Sequence, residues 1–197
     1  MKKKIFKQNF LVDQKTRLAR YNQNPKLIWF TGLSGSGKTT LSVSLEKFLF
    51  KKGFYTYCLD GDNIRFGISK DLGFSIKDRT ENIRRVSEVS KLFIDSGIIV
   101  LASFISPLIS QREIVKNIVG KENFIEIFVS TPIETCQKRD VKGLYKDARK
   151  GLIKNFTGVT SEYQPPKNPN LVIDTSQITV QESVKILFNN LKSYINV

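Results

Sequence analysis

Short, densely apolar runs alternate along this chain with longer stretches in which apolar residues return every third or fourth position. The runs cover residues 26–31, 55–60, 98–104, 124–129 and 171–174, each of strand length. They suit strands buried on both faces, hence a parallel sheet covered by helices on each side. Between them the helical period is plain. Leu41, Leu45, Phe48 and Leu49 share one stripe that ends at Lys51-Lys52-Gly53, with cations and a glycine where a helix stops. Asp78-Arg79-Thr80-Glu81 opens a pattern that turns Ile83, Val86, Val89, Leu92 and Phe93 to one side and halts at Gly97. Thr131-Pro132-Ile133-Glu134 has a cap hydroxyl, Pro at the first helical position and Glu at the third, the pattern of a capping box. A last helix from about Thr179 presents Val184, Leu187, Phe188, Leu191 and Ile195 inward. Strand and helix alternating throughout predict an α/β fold, a doubly wound and mainly parallel sheet with helices on both faces.

Within that frame one loop carries chemistry. Gly32-Leu33-Ser34-Gly35-Ser36-Gly37-Lys38-Thr39 fits G-x-x-x-x-G-K-[ST], and it joins the first apolar run to the first helical stripe. Glycines let backbone N–H groups turn inward around phosphates, and the helix N-terminus adds partial positive charge. Lys38 has the reach for β- and γ-phosphates, and the Thr39 hydroxyl suits Mg²⁺. A Gly/Ser turn before a helix is the bland alternative. The strand–loop–helix context favours a site for a nucleoside triphosphate.

Composition narrows the remaining choices. The 197 residues suit one domain with a sizeable core. Residues 1–25 are polar and basic and are expected to form a loosely held arm or short helix before a domain at 26–197. No apolar run nears the ~20 residues that span a bilayer, and the basic start lacks a signal-peptide core, so no membrane is expected and the cytoplasm is the default. Cys58 and Cys136 make neither a disulfide framework nor a zinc site. The absence of histidine excludes Ser-His-Asp and Cys-His catalysis and a histidine general base, which leaves a carboxylate as the first candidate to take a proton from a hydroxyl. The net charge of +14 invites a nucleic-acid reading, but the cations are dispersed. Surface lysines, or attraction of a multiply anionic substrate, account for it better, and no nucleic-acid partner is expected.

In doubly wound sheets ligands bind beyond the carboxyl ends of the strands. The residues there are the phosphate loop, Asp60-Gly61-Asp62-Asn63, Ile105-Ser106-Pro107, and a Lys/Gly-rich stretch after Arg139-Asp140. Asp60 and Asp62 can divide labour, one orienting Mg²⁺ and one accepting a proton; an Asx-rich turn is the alternative. Arg65 and Arg79 are placed to face an anion, whereas Arg84 and Arg85 suit a solvated helix face equally well.

These segments resemble adenylylsulfate kinase. The resemblance rests on the phosphate loop, Leu59-Asp60-Gly61-Asp62-Asn63-Ile64-Arg65, Asp71-Leu72-Gly73-Phe74-Ser75, Asp78-Arg79, Glu81-Asn82-Ile83-Arg84-Arg85-Val86, Phe104-Ile105-Ser106-Pro107, Lys142-Gly143-Leu144-Tyr145-Lys146 and Asn155-Phe156-Thr157-Gly158. It runs from about Leu27 to Asp174 and implies a P-loop, nucleotide-kinase-like fold. The implied reaction is ATP- and Mg²⁺-dependent phosphorylation of the 3′-hydroxyl of adenosine 5′-phosphosulfate, yielding 3′-phosphoadenylylsulfate for sulfate assimilation. Asp60 and Asp62 would be the acidic pair, with Lys38 on the transferred phosphate. Arg65, Arg79 and Asn82 would hold the phosphosulfate, Phe74 and Phe156 would stack on the adenine with Ile105 nearby, and Lys142 would act from a mobile lid at 142–164. The family is described with a phosphoserine intermediate, which falls on Ser106; the hydroxyl of Ser106 is expected free at the sheet mouth. Leu108 and Val141 depart from the usual Tyr or His and the usual Pro, which bears on lid geometry. Gluconate, shikimate or a nucleoside monophosphate are alternative acceptors on this fold, and a nucleic-acid-binding ATPase is the alternative of a different class. A homodimer and association with ATP sulfurylase are the partnerships expected.

Overall fold

The run at the centre of the sheet has no residue to show to water, and the chain buries it entirely. In a computed structural model of the chain, which describes residues 6, 8 and 11–196, strand β1 (Leu27–Thr31) lies between β3 (Ile99–Ser103) and β4 (Phe124–Val129). The edges are β2 (Thr56–Asp60) and β5 (Leu171–Ile173), giving the order β2-β3-β1-β4-β5 with all pairings parallel. Successive side chains of β1 enter opposite layers, as the period-2 geometry of a strand requires. Ile28 and Phe30 pack with Leu41, Leu45 and Leu49 of α2 (Lys38–Lys51) and with Val184, Leu187, Leu191 and Ile195 of α8 (Val180–Ile195). Leu27 and Trp29 pack with Ile83, Val86 and Ile94 of α4 (Ile76–Asp95) and with Val115 and Val119 of α5 (Ile109–Val119). The fold is thus a doubly wound parallel sheet with helices on both faces.

Among the described residues, α1 (Gln14–Tyr21), α3 (Gly61–Phe66), α6 (Ile133–Arg139), α7 (Leu144–Arg149) and a single 3-10 turn at Lys121–Asn123 complete it. Of the 1–25 arm, Met1 to Ile5, Lys7, Asn9 and Phe10 lie outside the described residues. The remainder holds α1, whose Tyr21 ring stands 4.9 Å from that of Tyr55. Gln23, buried after α1, donates to the carbonyls of Tyr55 and Gly97 and accepts from the Tyr55 amide.

Three local expectations need correction. Helix α4 begins at Ile76, capped by Ser75 through the Asp78 amide, rather than at Asp78. Leu92 is 69% exposed; it stands nine residues from Ile83, which at 100° per residue is about 180° round the helix. Thr131 does not cap α6, which starts after Pro132 with no side-chain cap. Its hydroxyl instead donates to the Ser36 carbonyl at 3.0 Å, where a buried acceptor needs a partner more than a half-exposed helix end does. At the other end of the chain, Thr179 and Glu182 do form a capping box.

Candidate active site

The strand order reverses at β1: the chain leaves it for β2 and β3 on one side and reaches β4 and β5 on the other. A crevice at the carboxyl end of β1 is where such sheets take ligands, and the loop 32–39 fills that position. Gly32 is required there, because a Cβ would lie 2.5 Å from the Val129 carbonyl oxygen. Gly37 caps α2 at φ 98°, a left-handed conformation in which other residues are strained.

The loop's polarity is set by side chains around it. The Leu33 carbonyl accepts from Lys38 Nζ at 2.6 Å, and Ser34 accepts from the Tyr145 hydroxyl at 2.9 Å. Gly35 accepts from Arg139 at 3.3 Å, and Ser36 accepts from both Thr131 and Thr175. Four consecutive carbonyls are therefore occupied. The amides opening α2 have no intrahelical acceptor, as in any first helical turn, so the loop presents donors to an anion. Burial pushes the Lys38 ammonium down to about 8, since only its own loop solvates the charge. Thr131, Arg139, Tyr145 and Thr175 were not anticipated as supports of the loop. Tyr145 at least sits in a segment that carries the family resemblance, whereas Thr175, an ordinary threonine after β5, gave no signal.

Across the crevice the two acids of the second strand end differ sharply. Asp60 caps α3 through the Asp62 amide at 3.0 Å, and its second oxygen accepts from the Thr39 hydroxyl at 2.9 Å and the Ser103 hydroxyl at 3.0 Å. Three donors hold it in one orientation. Asp62 is exposed and forms an ion pair with Lys142. Among the described residues no three His, Cys, Asp or Glu side chains gather into a metal cage. The hydroxyl of Thr39 and carboxylate of Asp60 are hard oxygen donors that fit Mg²⁺, which usually takes one or two protein oxygens and completes its shell with water and phosphate.

The residues expected around an acceptor fall on α3, α4 and the 142–164 segment. Arg65 donates to the carbonyls of Leu72 and Gly73 and lies 4.5 Å over the ring of Phe74, which is itself 63% exposed. Arg79 donates to the carbonyls of Phe74 and Asn155 and to the Thr157 hydroxyl, so it ties the loop bearing Phe74 to the one bearing Phe156. Phe156 is buried, edge-on to Tyr145 at 5.0 Å, in a small core with Cys136 and Ala148. Of the two expected rings, Phe74 is the one that is open to a ligand. Asn82 is buried with Oδ1 unpartnered, an acceptor awaiting a donor. Arg84 and Arg85 pair with Glu81, and Arg85 also with Asp71, on the helix surface.

Ser106 departs from expectation. It is 3% exposed, and its hydroxyl is engaged: it accepts from Trp29 Nε1 at 3.0 Å and donates to Thr31 Oγ1 at 3.0 Å. Thr31 donates in turn to the Ile105 carbonyl at 2.7 Å. The backbone of Ser106 sits at φ 38°, a strained region for a residue with a Cβ. Trp29 is wholly buried, so its indole N–H has to find an acceptor inside, and Ser106 supplies one.

A phosphate loop at the switch point of a doubly wound sheet, with a fixed carboxylate and an exposed, ion-paired one across from it, defines a P-loop phosphotransferase. Residues 24–174 match the family model described as adenylylsulphate kinase. The adenylyl-sulfate kinase of Bacteroides thetaiotaomicron is 58% identical over 165 residues, covering 84% of this chain and 82% of that one. That of Shewanella pealeana is 53% identical over 180 residues, covering 91% and 88%. Among solved structures, the Mycobacterium tuberculosis APS kinase CysC in complex with AMPPNP and APS superimposes with a TM-score of 0.83 at 44% identity, covering 86% of this chain and 98% of that one. The chain belongs to the adenylylsulfate kinase family.

Proposed function

We propose that this protein transfers the γ-phosphoryl group of ATP to the 3′-hydroxyl of adenosine 5′-phosphosulfate, giving 3′-phosphoadenylylsulfate and ADP in sulfate activation. The observation that carries the reading is the Thr39–Asp60 hydrogen bond of 2.9 Å, which joins the phosphate loop to the acidic turn. Family membership supports the choice of acceptor. The loop amides and Lys38 hold the β- and γ-phosphates. Thr39 and Asp60 would hold Mg²⁺, which would neutralise charge on the phosphate oxygens. Asp62 leaves Lys142 to accept the 3′-hydroxyl proton as that oxygen bonds to the γ-phosphorus and the bond to the ADP oxygen breaks, in line. Arg65, Arg79 and Asn82 receive the phosphosulfate, with Phe74 and Ile105 about the adenine and Phe156 in the core behind the lid.

Residues 142–164 act as a lid in this reading. Its attachments through Lys142 to Asp62, Tyr145 to Ser34 and Arg79 to Asn155 all run to groups of the site, so ligands compete for them. Ser106 acts as a bridge between Trp29 and Thr31 rather than as a phosphate carrier, since its hydroxyl is already committed. The kinase unit is 26–197, with the basic arm before it. No helix among the described residues is long and apolar enough to cross a membrane; the proposed location is the cytoplasm. A homodimer and docking to ATP sulfurylase rest on the family relationship, and light scattering of the chain alone and mixed with the sulfurylase tests both. The test of the reaction is an ADP-coupled assay with adenylylsulfate, gluconate, shikimate and AMP as acceptors. Turnover with adenylylsulfate well above the others is expected, and preference for any other acceptor overturns the proposal.

A further inference from the structure

Arg112 is 4% exposed, and each nitrogen of its guanidinium faces a different segment of the chain. Nε lies 2.8 Å from Glu126 of β4, an ion pair by distance though not aligned as a hydrogen bond. The two terminal nitrogens donate at 2.7 Å to the carbonyls of Ser106 and Gln164. Two more polar groups of Gln164 serve the same neighbourhood: its backbone amide donates to the Pro107 carbonyl at 2.8 Å, and its side-chain oxygen accepts from the Ile109 amide at 3.1 Å, while its side-chain nitrogen donates to Glu162. Next to it the centre of the Tyr163 ring lies 5.9 Å from the Arg112 guanidinium carbon and 5.9 Å from the centre of the Phe128 ring. The Tyr163 hydroxyl lies 3.0 Å from Thr31 Oγ1, whose own proton goes to Ile105, so Tyr163 is the donor.

A buried ion pair is seldom more stabilising than apolar packing of the same volume, and its best-attested use is to fix which segments meet. Here it gathers the last strand residue before the phosphate loop, the Ile105–Ser106 backbone and the end of the lid. The attachments through Lys142, the Tyr145 hydroxyl and Arg79 run to groups that nucleotides contest, and those of the Tyr145 and Lys146 amides stay local, on Asp140. The contacts of Arg112, Tyr163 and Gln164 instead tie the end of the lid to Thr31, Ser106 and Pro107.

We infer that Arg112, Tyr163 and Gln164 form the fixed pivot of the lid and are positioning residues, holding Thr31 and the Ile105–Ser106 backbone in register with it when it closes on the acceptor. This rests on the lid reading of residues 142–164. Burial pushes the Tyr163 hydroxyl up to about 12, which keeps it a donor across the working range of pH.

The test combines kinetics with limited trypsin digestion at Lys142, Lys146, Arg149, Lys150 and Lys154, without ligand and with a non-hydrolysable ATP analogue plus adenylylsulfate. In the unaltered enzyme the ligands should slow cleavage of these bonds. Tyr163→Phe should raise KM for adenylylsulfate or lower kcat roughly three- to tenfold, the loss of one hydrogen bond, leave KM for ATP unchanged and weaken the protection. Arg112→Lys, which keeps the charge but not both carbonyl contacts, should do the same more strongly. If it fails to fold, Gln164→Ala takes its place. Full protection with unaltered constants in Tyr163→Phe and Gln164→Ala overturns the pivot, and so does an equal rise in both KM values, which marks general loosening. Absence of ligand protection in the unaltered enzyme overturns the lid reading, and this inference with it.

Discussion

Replacing Ser106 by alanine separates two accounts of this site. The change removes an acceptor from Trp29 Nε1 and a donor from Thr31 Oγ1, each at 3.0 Å. Thr31 keeps the Tyr163 hydroxyl and Ile105 as partners, so the larger cost falls on the indole N–H, left unpaired in a wholly buried ring. An orphaned buried donor costs about 1–3 kcal/mol. Alanine brings no relief of the φ of 38°, because its Cβ meets the same strain. Glycine loses the same hydrogen bonds but accepts that backbone freely, and it should be the less destabilised of the two in the folded state. For a chain of this length each kcal/mol moves Tm by about 2–4 °C. Thermal unfolding of Ser106→Ala and Ser106→Gly should therefore show clear loss of stability, while the ADP-coupled assay retains measurable turnover. Using ATP chiral at the γ-phosphorus, the unaltered enzyme should invert configuration, as one in-line displacement requires. A Ser106→Ala enzyme that is fully stable and dead, with net retention of configuration, would show that a phosphoserine lies on the pathway.

Lys38→Ala should abolish turnover while circular dichroism remains that of a folded chain, because a charge on the transferred phosphate is lost and little packing changes; near-normal activity would remove Lys38 from catalysis. Asp62→Asn should lower kcat by roughly 10²–10⁴-fold, the usual loss for a general base, with little change in ATP affinity; an effect confined to KM for ATP would contradict it. Arg79→Ala should weaken adenylylsulfate binding far more than ATP binding by calorimetry, and equal losses would mean the acceptor site is misplaced. The Lys38 ammonium, pushed down to about 8 by burial, loses its proton as pH rises through that value, and ATP selects the charged form. ATP affinity should thus fall above about pH 8, by up to roughly tenfold per unit, and flat affinity from pH 7 to 10 would refute the assignment. The sign is opposite for the free fold. Between about 8 and the ordinary 10.5 the unfolded chain binds more protons at this lysine, so stability rises with pH there.

What could be read from the residues followed from periodicity and local geometry. The run at 124–129 is β4 to the residue, because apolar strands buried on both faces have sharp polar limits. The phosphate loop was legible because its glycines answer backbone demands, such as the approach of Val129 to Gly32, that no other residue meets. Leu92 was misassigned because a stripe of apolar residues three apart drifts round a helix of 20 residues, and only packing shows where the buried side ends. Thr131 and Ser106 failed differently. Both sit where local rules offer a use for a hydroxyl, at a helix start and at a sheet mouth. Both are claimed by partners far along the chain: Ser36 for Thr131, and Trp29 and Thr31 for Ser106. Long-range hydrogen bonding of this kind leaves no periodic trace. The supports at Arg139 and Thr175 were missed for the same reason.

The central claim is the reaction itself, and identifying its product tests it most directly. The enzyme is incubated with adenylylsulfate, Mg²⁺ and ATP labelled in the γ-phosphoryl group, and the labelled nucleotide is isolated and analysed by mass spectrometry before and after treatment with a 3′-nucleotidase. One label per molecule of adenylylsulfate, on the 3′-oxygen and released by the nucleotidase with one ADP formed for each transfer, is the result predicted. Label elsewhere on the nucleotide, or no transfer to adenylylsulfate while another acceptor is phosphorylated, would contradict the account.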